Sequence, residues 1–206
     1  MSGSVGIGRP ERTSDEALML CVQAGEMSAL QELMTRHERG LFNFLVRYTG
    51  DRHLGEDLFQ DTFVRLLEKK DTFDASRGFR AWLYAIAANL ARDACRRREV
   101  RSRDLRGNIR ERPEPLRPDD EASRSEEIQI VQRALDELPD DAKAMILLHF
   151  YQGLRYREIA EALDVPIGTV KSRMHWAVDK LAKVWSDGTA NALAGFTAAT
   201  KRSMDL

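Results

Sequence analysis

The stretch YREIAEALDVPIGTVKSRMHWAVDKLAK, Tyr156–Lys183, decides the fold class of this chain. Its first part sets Ile159, Ala160 and Leu163 on one side of a helix over 156–163, with a small residue, Ala160, where another helix crosses closely. Pro166 prevents that helix from continuing. Asp164 stands where a sharp corner needs a left-handed backbone, which aspartate tolerates better than most residues. A second helix is expected from Gly168–Thr169. Val170, Met174, Ala177 and Leu181 recur at helical spacing and form its buried stripe, while Ser172, His175, Trp176 and Asp179 face outward, flanked by Lys171 and Arg173. Two helices joined by such a corner read as a helix-turn-helix spanning 156–183. The first turns of its second helix enter the major groove, where Lys171 and Arg173 meet guanine edges or phosphates and Ser172 meets either. A plain helical hairpin would also have a polar outer face. It would not, however, leave a tryptophan such as Trp176 outside without something to touch.

Upstream of this stretch, Ile128, Val131, Leu135 and Leu138 lie on one helix face, Pro139 breaks it, and Asp140 is placed to cap a further helix that runs to about Tyr151 before Gly153. The N-terminal part is helical too. A first helix is expected over Asp15–Ala24, and Ser28 with Gln31 forms a capping-box pattern for a second, along which Leu30, Leu33, Met34, His37, Leu41, Phe44, Leu45 and Tyr48 recur every three or four residues. His37 sits on that apolar stripe with no cluster of other ligands, so it reads as a packed, hydrogen-bonded histidine. A third helix spans about Gly55–Lys69, a loop covers Asp71–Gly78, and a fourth helix runs from Phe79 to about Arg98, burying Phe79, Trp82, Leu83, Ile86 and Leu90. No segment alternates with period two over strand length. The expected fold is therefore all-α, with two small helical domains.

Between the domains, residues 101–125 lose the helical period and carry Pro113, Pro115 and Pro118, which marks a flexible linker between halves able to fold independently. Residues 1–13 and 186–206 are weakly patterned and are expected to be a disordered lead and a largely disordered extension. This gives boundaries of 14–100 for the first domain and 126–185 for the second.

The formal net charge of −1 hides a segregation. Ten arginines face three acids over 76–110, whereas seven acids face three arginines over 111–127. A basic block of this kind is the electrostatic footprint of a polyanion partner. The two cysteines, Cys21 and Cys95, have no metal-ligand spacing and suit a reducing compartment. No apolar run approaches the roughly 20 residues of a membrane helix, and the N-terminus has no apolar core like that of a signal peptide, so the expected location is the cytoplasm with no membrane insertion. No Gly-rich phosphate loop, metal-spaced ligand set or nucleophile–base pairing is visible, so neither an enzyme nor a resident cofactor, metal or small-molecule substrate is expected.

Two further stretches make the reading specific. EDLFQDTFVRLLEK (Glu56–Lys69), followed after the loop by RGFRAWLYAIAANLARDACRRR (Arg77–Arg98), resembles region 2 of the bacterial sigma-70 family, and Ala134–Lys183 resembles region 4. Their order and spacing, with no domain between them, are similar to the extracytoplasmic-function (ECF) group of sigma factors. The resemblance implies a promoter-specificity subunit of RNA polymerase that docks on the β′ clamp helices and the β flap of the core enzyme, binds promoter DNA, and is controlled by an anti-sigma factor. The family pattern D-L-x-Q-D/E places Asp57, Gln60 and Asp61 on the clamp-helix contact. The −10 element would be opened and held by the loop residues Thr72, Phe73, Asp74, Ser76 and Arg77 with Arg80, Tyr84, Asn89, Arg92, Arg96, Arg97 and Arg98 of the following helix. Flipped bases need stacking partners and a pocket, and unpaired strands need cations. Trp82 reads as core rather than as a stacking partner, because it lies on the buried stripe. The −35 element would be read by Thr169, Lys171, Ser172, Arg173 and His175. The chain departs from the family at Trp176–Ala177–Val178, where R-A-R is usual. Weaker −35 anchoring is expected from the two lost cations, or an apolar protein contact made by Trp176 and Val178 together. The alternative reading is a conventional helix-turn-helix regulator independent of core polymerase, which would leave the match over 56–98 unexplained.

Overall fold

The computed structural model describes residues 14–104 and 131–186, and all regular structure among the described residues is helical. The expected lead and most of the expected linker and tail (1–13, 105–130 and 187–206) lie outside them. Helix α1 (Asp15–Gln23) is capped by Ser14, whose hydroxyl accepts from the Ala17 amide at 3.1 Å. Helix α2 (Met27–Thr49) starts one residue before Ser28. Glu26 is its N-cap, with no side-chain cap, so the expected capping box at Ser28 does not form. Helix α3 (Arg52–Glu68) starts earlier than the apolar pattern indicates, because the Asp51 carboxylate accepts from the Leu54 amide at 3.1 Å. Two short 3₁₀ turns, Lys70–Thr72 and Ala75–Arg77, lead to α4 (Phe79–Asp104), which runs past Arg98 into the expected linker.

These four helices enclose Leu33, Leu41, Phe44, Tyr48, Leu66, Phe79 and Leu83. Helices α2 and α3 cross so closely that a Cβ on Gly55 would stand 2.6 Å from Val46 Cγ2 and 3.2 Å from the Val46 amide. His37 is buried on the same stripe, 2.7 Å from Asp15, with its ring against Phe79. Glu16 reaches across to accept from the Phe79 amide at 2.9 Å, so α1 helps to start α4.

The C-terminal half begins in the described residues with helical residues 131–136 (α5). Helix α6 (Asp140–Ile146) has Pro139 as its N-cap, which makes Asp140 the first helical residue and not the cap. Its last turns widen into a π-helical segment, Leu147–Tyr151, ended by Gly153 at φ 68°. Helix α7 (Tyr156–Leu163) follows, then Asp164 at φ 52°, ψ 51°, and α8 (Ile167–Ser186). Val170, Met174, Ala177 and Leu181 are all buried, as the spacing requires.

The two halves do not stand apart. Their buried side chains form one continuous cluster, in which α4 packs against α7 and the end of α2 packs against the π segment. The two helical domains expected from the sequence are both present, and among the described residues they pack against each other.

Candidate nucleic-acid and polymerase interfaces

Helix α3 turns Leu58, Thr62 and Leu66 inward, which leaves Asp57, Gln60 and Asp61 exposed on the other side. None of the three makes a hydrogen bond or ion pair among the described residues. Thr62 satisfies its buried hydroxyl on the Leu58 carbonyl at 2.6 Å. Next to this face a shallow groove opens between α2 and α3. Phe42 and Phe59 form its apolar wall, Arg52, Glu56 and Gln60 line its polar side, and the Arg52 guanidinium lies 5.4 Å from the Phe42 ring centroid.

The loop before α4 is ordered by its own polar groups. The Asp74 carboxylate accepts from the Ser76 amide at 2.9 Å, and these hydrogen bonds hold its pKa below the ordinary aspartate range. Thr72 donates to the Lys69 carbonyl at 2.7 Å. Thr72, Asp74, Ser76 and Arg77 are exposed, whereas Phe73 is not. Its ring is buried against Phe79 and Trp82, with centroids at 6.1 and 5.1 Å, so it supports the loop from below and is not available to stack on a base. Trp82 is half-buried in the same cluster, as its place on the apolar stripe indicates.

Along α4 the candidates divide. Asn89, Arg96 and Arg97 are exposed. Arg98 pairs with Asp51 at 3.2 Å. Tyr84 is buried, its hydroxyl donates to Gln152 Oε1 at 2.6 Å, and burial pushes its pKa up, so it is a domain contact and not a surface stacker. Arg80 donates to the Gln152 carbonyl. Arg92 lies 3.1 Å from Asp141. On α8, Lys171, Ser172 and His175 point outward, with Ser172 bonded to the Thr169 carbonyl at 3.1 Å and His175 at 3.4 Å from Asp179. Arg173 also reaches Asp141, at 2.5 Å. Trp176 is 47% exposed, but Val178 packs on the core, so the two do not form one apolar surface.

Sequence reasoning did not single out Asp141 or Gln152, because each acts on residues far away in the chain. A signal for Gln152 was present all the same. Gly40 sits inside the 23-residue helix α2, where glycine costs about 1 kcal/mol relative to alanine. A Cβ there would be 3.0 Å from the Tyr84 hydroxyl and 3.1 Å from Gln152 Oε1.

Comparison with known proteins agrees with this arrangement. Residues 33–101 match Sigma-70 region 2 and residues 128–181 match Sigma-70, region 4. The chain is 32% identical over 173 residues to the ECF RNA polymerase sigma-E factor of Haemophilus influenzae, covering 80% of this chain and 91% of that one. The chain belongs to the ECF sigma factors. Its relatives include the ECF RNA polymerase sigma factor SigW of Bacillus subtilis, 29% identical over 81% of this chain and 94% of that protein. Among solved structures, CnrH in complex with the cytosolic domain of CnrY matches with a TM-score of 0.67 and 26% identity over 85% of this chain and 99% of that one. RpoE of Bartonella quintana in complex with the anti-sigma factor NepR matches with a TM-score of 0.63 and 25% identity over 78% of this chain and 98% of that one. As a sigma factor the chain is a non-catalytic subunit for transcription initiation that works with core RNA polymerase and promoter DNA. Among the described residues no helix is long and apolar enough to cross a membrane.

Proposed function

We propose that this ECF sigma factor docks on the β′ clamp helices through Asp57, Gln60 and Asp61, with region 2 over 14–100 and region 4 over 126–185. The observation that carries the proposal is the bare α3 face. Three polar groups share one exposed side of a helix whose opposite side is buried, and two of them are acidic. Such a face complements a basic partner helix. On this reading the −10 element is held by the exposed loop residues and by the cations of α4. The −35 element is read by Thr169, Lys171, Ser172, Arg173 and His175, and region 4 also meets the β flap. Phe73 and Tyr84 serve as supports for the −10 surface. Both well-matched solved relatives were captured in complexes, CnrH with the cytosolic domain of CnrY and RpoE with the anti-sigma factor NepR, and the second supports control of this chain by an anti-sigma factor. The working location is the cytoplasm, where polymerase is.

The test is reconstitution of the purified chain with core polymerase on candidate promoters. Asp61→Lys should abolish polymerase binding while circular dichroism stays helical. Unchanged binding by that variant would overturn the α3 assignment.

A further inference from the structure

Helix α1 grips the loop before α4 at both ends. Where the loop begins, Gln23 Nε2 donates to the Lys70 carbonyl at 2.7 Å and to the Phe73 carbonyl at 3.3 Å. A primary amide has two N–H donors, so one side chain can hold both oxygens. Lys70 Nζ returns the contact by donating to the Gln23 carbonyl at 3.4 Å. Where the loop ends, Glu16 accepts from the Phe79 amide at 2.9 Å. Phe79 is the first residue of α4, so its amide has no acceptor within that helix. Gly78 precedes it at φ 76° and has no side chain with which to cap. The carboxylate that a cap would supply comes instead from another helix, and its charge suits the positive end of the α4 dipole.

The grip has a fixed base. Asp15, next to Glu16, lies 2.7 Å from His37 and 3.1 Å from Arg36 on α2, and Leu18, Met19 and Val22 of α1 are buried. Between the two grips the Phe73 ring supports the loop from below through Phe79 and Trp82. Residues 74–78 are the span left between the held ends, and Asp74, Ser76 and Arg77 on it are exposed. A loop ordered in advance loses less entropy when it binds, which favours capture of an unpaired base. Helix α1 precedes the residues matched to region 2, 33–101, so neither Glu16 nor Gln23 falls within that match.

We propose that Glu16 and Gln23 are positioning residues for promoter opening, which hold the Asp71–Gly78 loop in the shape that receives the unpaired strand without touching DNA themselves. The proposal rests on the assignment of this loop to the −10 element made above. Loss of either grip lets the loop leave that shape, and the holoenzyme then opens promoters less well by the fraction of time the loop is out of place. Sequence preference falls with it, because a flipped base is read by the fit of its pocket. Contacts made elsewhere, by α3 with polymerase and by α8 with upstream duplex, do not depend on the loop.

The test uses the full chain assembled with core polymerase, on a promoter duplex enriched by the wild-type holoenzyme from a randomised library. Permanganate reactivity of thymines reads the opened stretch. Gln23→Glu keeps the size of the side chain but presents an acceptor where two donors stood, and Glu16→Ala removes the cap. Each should lower opening about tenfold, on the scale of one hydrogen bond left unmade. Each should also flatten the discrimination between bases, read by replacing every base of the opened stretch in turn. Glu16→Gln keeps an acceptor oxygen and should recover most of what Glu16→Ala loses. Polymerase affinity and binding of the upstream duplex should be unchanged in all three. Equal opening by Gln23→Glu and wild type would overturn the proposal. So would losses of polymerase and upstream-duplex binding as large as the loss of opening, which is what a generally destabilised domain gives, and so would reduced opening with undiminished base discrimination. Ser76→Ala and Arg77→Ala test the loop assignment separately. If they leave opening and discrimination unchanged, the −10 assignment fails and the proposal with it. If they reduce both while the α1 variants do not, only the roles of Glu16 and Gln23 fail.

Discussion

The two halves of this sigma factor present their partner surfaces in opposite conditions. In the N-terminal half, Asp57, Gln60 and Asp61, the proposed polymerase contact, stand exposed on α3 with no hydrogen bond or ion pair among the described residues. In the C-terminal half, Arg173, a proposed −35 contact, is already paired with Asp141, which also holds Arg92 of α4. Exposure alone would rank these surfaces alike. Engagement separates them: the proposed polymerase face is open among the described residues, whereas one proposed −35 contact is already held within the chain.

If the halves share one core, damage to one should be felt in the other. Gly55→Ala is the sharpest probe, because the added methyl falls 2.6 Å from Val46 Cγ2 and close to the Val46 backbone, which cannot yield as a side-chain tip can. Overpacking of this kind costs about 1–3 kcal/mol. Hydrogen exchange in α8, in the other half, should quicken along with that in α2 and α3, and thermal unfolding should remain one transition. A destabilised N-terminal half beside an α8 with unchanged protection would mean that the halves unfold independently, as the proline-bearing linker suggested.

The recognition helix offers a finer contrast between two residues that look equivalent in sequence. Trp176 and Val178 stand where the family usually has arginines, but Trp176 is exposed while Val178 packs on the core. Trp176→Arg should therefore add a phosphate contact and steepen the slope of log affinity against log salt by up to about 0.9 for duplex DNA. Val178→Arg should instead cost about 1–3 kcal/mol of stability, because a charge is driven against apolar neighbours. Equal tolerance of both substitutions in a melting experiment would contradict the packing of Val178.

How much of this was legible in the sequence depends on the range of the interaction. Helical spacing located every major helix, and the corner at Asp164 was readable because a local steric rule fixes it. Helix starts were less legible. Asp51 begins α3 ahead of its apolar stripe, and Glu26, not Ser28, is the N-cap of α2. The docking of the halves was hidden, since Gln152 meets Gly40 and Tyr84 across 112 and 68 residues of chain, and local pattern cannot reach that far. Phe73 and Tyr84 were misplaced on the surface for a related reason. An aromatic beside a basic helix suits base stacking and core packing equally, and only the fold around it decides between them.

The smallest effect concerns the loop before α4, the part of the N-terminal half nearest to the proposed −10 contact. Asp74 accepts from the Ser76 amide, and its pKa lies below the ordinary 3.8 chiefly because of the hydrogen bonds from Ser76. A carboxylate with a depressed pKa stabilises the fold above its ordinary pKa, and that contribution is lost as pH falls through the lowered value. The Ser76 amide should therefore stay protected at neutral pH and lose protection only below 3.8, with a midpoint readable by its NMR shift. In Asp74→Ala the amide should be unprotected and show no titration. A midpoint at or above the ordinary aspartate value would show that Ser76 is not bonded to the charged form. The sign also bears on the role of Asp74 near DNA. A side chain that remains anionic throughout the working range repels phosphates, so in the proposed −10 surface Asp74 would hold the turn that presents Ser76 and Arg77, and the attraction for a strand would come from the cations of α4.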